Sequence, residues 1–216
     1  MSILRAYFLA SLLTLSAVWG QVSKAETPPT HPMLAVIGIS NEVANEDWRD
    51  ARIGLGLRII LAQLFFDQGV FEMAEEKPEI RAMLQGISQR VWLLNEQGHD
   101  FSPEIAALAQ EGPRFVTYGK VFYFGRPRSK ASLGPLHLNR NSVVIKVEVT
   151  LEDLETGRKL TAKGKGISTT TAGSAIFSYR EDNVDLDKTN VGNATKEALD
   201  VAVQSIMKRY NKKYGR

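Results

Sequence analysis

A chain of 216 residues, 44% apolar and 24% charged, can bury one sizeable core and is not disordered throughout. It contains no cysteine, so disulfides and thiol nucleophiles are excluded and the fold must stand on packing. A formal charge of +3 is too small to argue for nucleic-acid binding.

The N-terminus reads as an export signal. Met1 to Arg5 is a short basic start, and Ala6 to Trp19 is an apolar run too short to span a bilayer but long enough for a signal-peptide core. Ser23 and Ala25 are small residues that permit cleavage before Glu26, while Val18 and Gly20 permit a cut after Gly20. The expected organisation is a signal peptide over 1–25, a linker over 26–32 carrying Pro28-Pro29, and one domain over 33–212. Processing removes Arg5 and Lys24 and no acid, leaving a charge of +1 (3 − 2).

In the expected mature chain, Met33 to Ile39 is a continuous apolar run, the pattern of a strand buried on both faces. Ile53, Leu57, Leu61, Leu64 and Phe65 then fall on one face of a helix from about Asp47 to Gln68. Gly69 ends it, and Val70 to Ala74 reads as a short strand. Pro78 opens a second helix with the stripe Ile80, Met83, Leu84, Ile87, Val91 and Leu94. Ser102-Pro103-Glu104 starts a third, with Ser102 as the capping hydroxyl, and Gly112-Pro113 stops it.

From Arg114 the pattern changes to strands. RFVTYGKVFYF is aromatic and β-branched, and Val143 to Leu151 alternates with a period of two. Between them, Gly125 to Asn141 reads as a basic loop with two prolines. Glu155-Thr156-Gly157 is a turn into a partner strand, RKLTAKGKGISTTT. A last helix is capped near Asn190 and lined by Leu199, Ala202, Ile206 and Tyr210, with KRYNKKYGR as its frayed basic end. The predicted fold is α/β, a mixed sheet covered by helices in the order β-α-β-α-α-β-β-β-α.

No segment assembles a catalytic, cofactor or metal site. TAKGKGISTTTAG suggests a phosphate cradle, but six residues separate Gly157 from Gly164, Lys165 is followed by Gly166, and no helix follows. It reads instead as the return arm of a hairpin, with glycines where the strand bends or another backbone comes close. Counting Asp185 as position one of a calcium loop puts Asn190 where glycine belongs and Lys196 where glutamate belongs. His31, His99 and His137 lack a second ligand at metal spacing.

The order of the motifs is more informative than any one of them. LAVIGIS and its helix, then DQGVFEMAEEKPEIRAMLQG, then the hairpin VVIKVEVTLEDLETGRKLTAKGKG with its Asp-x-x-Thr-Gly turn at Asp153 to Gly157, then NVGNATKEALDVAVQSI, resemble the CsgG family of curli secretion proteins. The resemblance covers about residues 33–210. It implies a non-enzymatic periplasmic α/β domain, without cofactor, at the inner face of the outer membrane. Its expected partners are outer-membrane or periplasmic assembly proteins in the export or assembly of extracellular fibres or adhesins, or copies of itself. Family members that form pores assemble rings to which each subunit lends two β-hairpins.

This chain departs from the pore formers. It lacks the lipid-bearing cysteine, its loop SNEVANEDW is compact, Gly125 to Asn141 is interrupted by proline, and STTTAGSAIFSYR alternates only weakly. An accessory role is expected over a pore subunit, with activation of a peptidoglycan synthase as a further alternative. Membrane or partner contact is expected at Arg126, Arg128, Lys130 and Arg140, and at Thr169, Thr171, Phe177 and Tyr179, where an open strand edge around Ser168 to Thr171 offers itself for strand addition.

Overall fold

The computed structural model describes residues 31–43, 50–93, 98–133, 136–170, 178–180, 183–185 and 189–215, with side chains left out over 128–141 and 170–188. The segment expected to be a signal peptide and most of the expected linker lie outside the described residues, as does Asp47, where the first helix was expected to begin. The chain runs β1 (Met33–Asn41), α1 (Ala51–Phe66), β2 (Glu72–Met73), a 3-10 turn (Ala74–Glu76), α2 (Pro78–Leu93), α3 (Ser102–Ala109), β3 (Phe115–Gly125), β4 (Arg128–Leu133), β5 (Leu136–Asp153), β6 (Arg158–Thr170), β7 (Ser178–Arg180), β8 (Asn183–Asp185) and α4 (Asn190–Tyr214). This is the α/β order expected, with β4 and the small β7–β8 hairpin added.

The sheet is mixed. β1 pairs in parallel with β2 and β3, while β3, β4 and β6 all pair antiparallel with β5. Asn141 of β5 has Arg128 on one side and Thr170 on the other, so β3 and β4 follow one another along one edge of β5 and β6 runs along the other. Residues of β1 alternate between two cores. Leu34 and Val36 join α1 and α4, whereas Ala35 and Ile37 join α2 and α3. A bulge between Val36 and Gly38 shifts the phase, returning Ile39 to the α1–α4 side.

β5 has one apolar face. Val143, Ile145, Val147, Val149 and Leu151 are buried under α1 and α4, as the period of two demands. The glycines of β6 explain how close α4 comes. A Cβ built on Gly164 or Gly166 would collide with the main chain of Ala194 and Ala198, one helical turn apart. Thr161 to Thr170 is therefore a strand fitted under a helix.

Three local expectations change. Gly125 to Asn141 is not a loop but a paired hairpin, β4 with the start of β5. Pro127 falls in the break between β3 and β4, where it removes no ladder hydrogen bond, and Pro135 lies outside the described residues. Ser102 is already helical. The acceptor at that helix end is Asp100 Oδ1, which takes hydrogen bonds from the Ser102 N–H (3.0 Å) and hydroxyl (2.6 Å). The basic tail is no frayed end: α4 continues to Tyr214, whose hydroxyl donates to Asp153 Oδ2 (2.9 Å). Tyr210 and Tyr214 stack at 4.9 Å, and Phe71 and Phe115 pack around them.

Candidate functional site

α2 and α3 cover only the β1–β3 side of their face of the sheet. The rest of that face, on β3, β5 and β6, carries polar side chains, and a cleft of about 500 Å³ opens between it and residues 98–101. The cleft sits past the carboxyl end of β1, where Ser40 and Glu42 meet Tyr118 and Lys120 of β3 and Glu148 of β5. Its wall is aromatic: Phe101 stacks on Tyr118 at 4.7 Å, and His99 stands edge-on to Phe101 at 4.8 Å.

Charges of alternating sign cross this face. Lys120 Nζ lies 3.1 Å from Glu42 and 3.9 Å from Glu148, and Lys163 Nζ lies 3.5 Å from Glu148 on its other side. One register step away, the Tyr118 hydroxyl donates to Glu152 Oε2 (3.0 Å), and Lys159 Nζ is 3.1 Å from the same oxygen. Burial, then the charge and hydrogen bond of Glu152, push the Tyr118 phenol up. Its hydrogen bond to Glu152 holds the Lys159 ammonium up. Each of these carboxylates already has a cation at hand, so the face is suited to holding a polar partner by exchange of ion pairs. Cross-strand register brings these residues together from separated segments; no spacing in the sequence marks them.

No family model matches the chain, and no curated protein does. Solved structures that superpose on it include the PelC dodecamer from Paraburkholderia phytofirmans, 13% identical over 81% of this chain and 87% of that one at a TM-score of 0.43. Lipoprotein GNA1162 from Neisseria meningitidis superposes at 15% identity, 67% and 88% coverage and a TM-score of 0.40. The hypothetical protein CT253 from Chlamydia trachomatis does so at 11%, 83% and 95%, and 0.46. At these identities and TM-scores the likeness bears on no function.

Of the expected contact residues, the fold gathers five at one end of the sheet. Arg126 is exposed at the β3–β4 junction, its guanidinium 5.0 Å from the Phe124 ring centre. Arg128 and Lys130 lie on β4 across from Asn141 and Asn139, and Arg140 lies across from Ser129. Thr169 is exposed near the end of β6, its hydroxyl 3.1 Å from that of Ser142. Tyr179 is elsewhere, in β7 opposite Val184, in a hairpin whose β8 lies beside α1. Thr171 and Phe177 lie outside the described residues.

The outer edge of β6 carries no strand among the described residues, yet it is guarded. The Ile167 N–H donates to Glu197 Oε2 (2.8 Å), and Arg209 Nη2 donates to the Thr161 carbonyl oxygen (2.6 Å). Both side chains reach around from α4. They occupy backbone groups that an added strand would need.

Among the described residues no helix is long and apolar enough to cross a membrane.

Proposed function

We propose that the chain is an exported, non-enzymatic protein of CsgG-like type, working in the periplasm at the inner face of the outer membrane. In this reading residues 1–25 are removed on export and 33–212 act as one domain, a component for secretion or assembly of extracellular material that works through contacts with other proteins. The supporting observation is the arm formed by β4 and residues 136–141 of β5. It continues the sheet beyond Val143, the last residue of β5 in the core among described side chains. A two-stranded hairpin is marginal by itself in water and gains order from a neighbouring surface.

The accessory role is preferred over a pore subunit because Gly125 to Asn141 is interrupted by prolines and STTTAGSAIFSYR alternates only weakly, where a membrane-spanning hairpin needs two regularly alternating strands of about 9–11 residues. The test is the absolute mass of the processed chain by light scattering, with and without mild detergent. The expected result is a monomer or small oligomer in both. A large defined ring appearing in detergent would reverse the choice and make this a pore subunit. Activation of a peptidoglycan synthase would show instead as a complex with that enzyme.

A further inference from the structure

The polar face of the sheet carries a charge that its own strands leave unbalanced. From Gly112 to Val147 there are seven lysines and arginines and no acid, and from Thr156 to Arg180 there are five and again no acid. Antiparallel pairing lays parts of both segments side by side as β3, β5 and β6. Nearer the Asp153 turn the cations meet acids: Lys159 meets Glu152, while Lys120 and Lys163 share Glu148. Past Glu148 the three strands supply no further acid. Two residues on, Lys146 stands directly across from Lys165, like charges in cross-strand register. Side chains so placed start about 4.5–5.5 Å apart at Cβ, and like charges there are destabilising.

Aromatic rings of β3 hold this cluster. Lys146 Nζ lies 4.7 Å from the ring centre of Tyr123, and Lys163 Nζ lies 5.5 Å from that of Phe122. Phe101 already covers one face of Tyr118. With all three rings engaged, the face presents ammonium groups rather than the open ring platforms on which nucleic-acid bases stack. Lys163 and Lys165 project from the same side of β6 at a pitch of about 6.6–6.8 Å. An extended polypeptide with a carboxylate at every second residue has the same pitch. Glu42 and Glu148 lie beside the cluster and repel a polymer charged on every unit more than one whose carboxylates are spaced. Glu197 and Arg209 occupy backbone groups along the outer edge of β6, so a partner meets the face and not the edge.

We propose that this face is a docking surface for an acidic, extended polypeptide segment of a partner protein, with one carboxylate between Lys146 and Lys165 and the next at Lys163. Charge complementarity selects the acidic partner, and the pitch of the lysines selects carboxylates at alternate residues. At Lys163 the incoming carboxylate takes the place of Glu148, an exchange of one exposed ion pair for another. The proposal rests on the reading of the chain as a protein that works through contacts with other proteins, and it gives one such partner its chemistry.

The probe is a short labelled peptide of alternating glutamate and threonine, its binding to the full chain read by fluorescence anisotropy. A peptide of the same composition with its glutamates in adjacent pairs has the charge without the pitch, and polygalacturonate is an acidic polymer of sugars. An exposed ion pair contributes up to roughly fivefold in affinity. K146S/K165S should therefore bind the alternating peptide about tenfold more weakly. K208S/K212S, which removes the same charge from exposed positions of α4, should lose far less. E148Q frees Lys120 and Lys163 of their shared acid and should bind the peptide several-fold more tightly. Binding should fall between about 0.1 M and 1 M salt. The melting temperature of K146S/K165S should hold or rise, since a like-charge pair is removed; a clear fall would make the two lysines structural and overturn the proposal. Equal losses in the two double variants would overturn it, as would equal affinity for the paired-glutamate peptide or tighter binding of polygalacturonate. Light scattering in detergent on the same samples separates the two readings. A ring there strikes the accessory role whatever the peptide does, and a monomer that ignores the peptide strikes only this partner.

Discussion

Gly164→Ala is a sharp test of how α4 sits on the sheet. A Cβ at this position would stand 2.8 Å from the Ala198 carbonyl carbon and 3.0 Å from the Ala202 nitrogen, with the Ala198 oxygen closer still. Carbon–oxygen approaches are comfortable from about 3.2 Å, so relieving the Ala198 oxygen requires α4 to retreat by roughly 1 Å or more, and a gap of that size forfeits about half of the dispersion attraction between the facing atoms. Leu199, Val203, Ile206 and Met207 bury α4 against β5, β6 and α1. At about 1.5–3 kcal/mol for each buried side chain, half of their sum is about 3–6 kcal/mol. The stiffer unfolded chain returns about 0.4–1 kcal/mol. The net expectation is a loss of about 2–5 kcal/mol, a large share of an ordinary domain's about 5–15 kcal/mol. Urea unfolding followed by far-UV circular dichroism measures it, with an unchanged slope showing that the end states are the same. The control is Gly86→Ala, at an exposed helical position with nothing within 4 Å, which should stabilise by about 0.5–1 kcal/mol. If Gly164→Ala is as stable as the parent, α4 does not lie where the close approach requires.

The remaining predictions concern buried charge and the guarded edge. Arg58 is 4% exposed, donating from Nε to the Val36 carbonyl oxygen (2.9 Å) and from Nη2 to Glu75 Oε1 (2.6 Å). Burial raises the Glu75 carboxyl, and the Arg58 charge opposes that. Arg58→Met should therefore cost about 3–5 kcal/mol by leaving Glu75 without its partner. The deficit should shrink as pH falls and Glu75 takes up a proton, and a double-mutant cycle with Glu75→Leu should recover most of it. For Asp153, burial pushes the carboxyl up, but hydrogen bonds from Tyr214, Arg114, Thr156 and the Glu155 N–H outweigh it and hold the group below the usual range. A depressed carboxyl contributes stability that is fully present above the unfolded value of about 3.9 and is lost as pH falls through the lower folded value. Asp153→Asn should cost about 2 kcal/mol at neutral pH and flatten the acid limb of the stability curve, a result that pH-dependent urea midpoints would expose or deny. Removing the guards of β6 with Glu197→Ala and Arg209→Ala frees the Ile167 N–H and the Thr161 carbonyl; sedimentation should show association that rises with concentration, and an unchanged profile would mean that the edge is protected in another way.

Much of the architecture is written in local patterns. Met33 to Ile39 is apolar throughout because both faces of β1 are covered, and Val143 to Leu151 alternates because one face of β5 is not. The helix stripes and the stops at Gly69 and Gly112 follow from geometry that involves only near neighbours in the chain. The glycines at 164 and 166 signal a strand bend or a close approach, and the structure decides for the close approach of α4.

The sequence by itself determined the four helices, β1, β3, β6 and the core part of β5, and which side of each is apolar. It also set the run of cations free of acids from Gly112 to Val147, a matter of composition alone. What lay beyond it was pairing over distance. The prolines of Gly125 to Asn141 suggest a loop until register places Pro127 in the break between β3 and β4, where a missing N–H costs nothing. Glu42, Lys120, Glu148 and Lys163 become one line of charge only through strand register. Glu197 and Arg209 guard β6 only because α4 crosses over it. An edge, a cleft or a cationic end depends on which surfaces meet, and only the tertiary structure decides that.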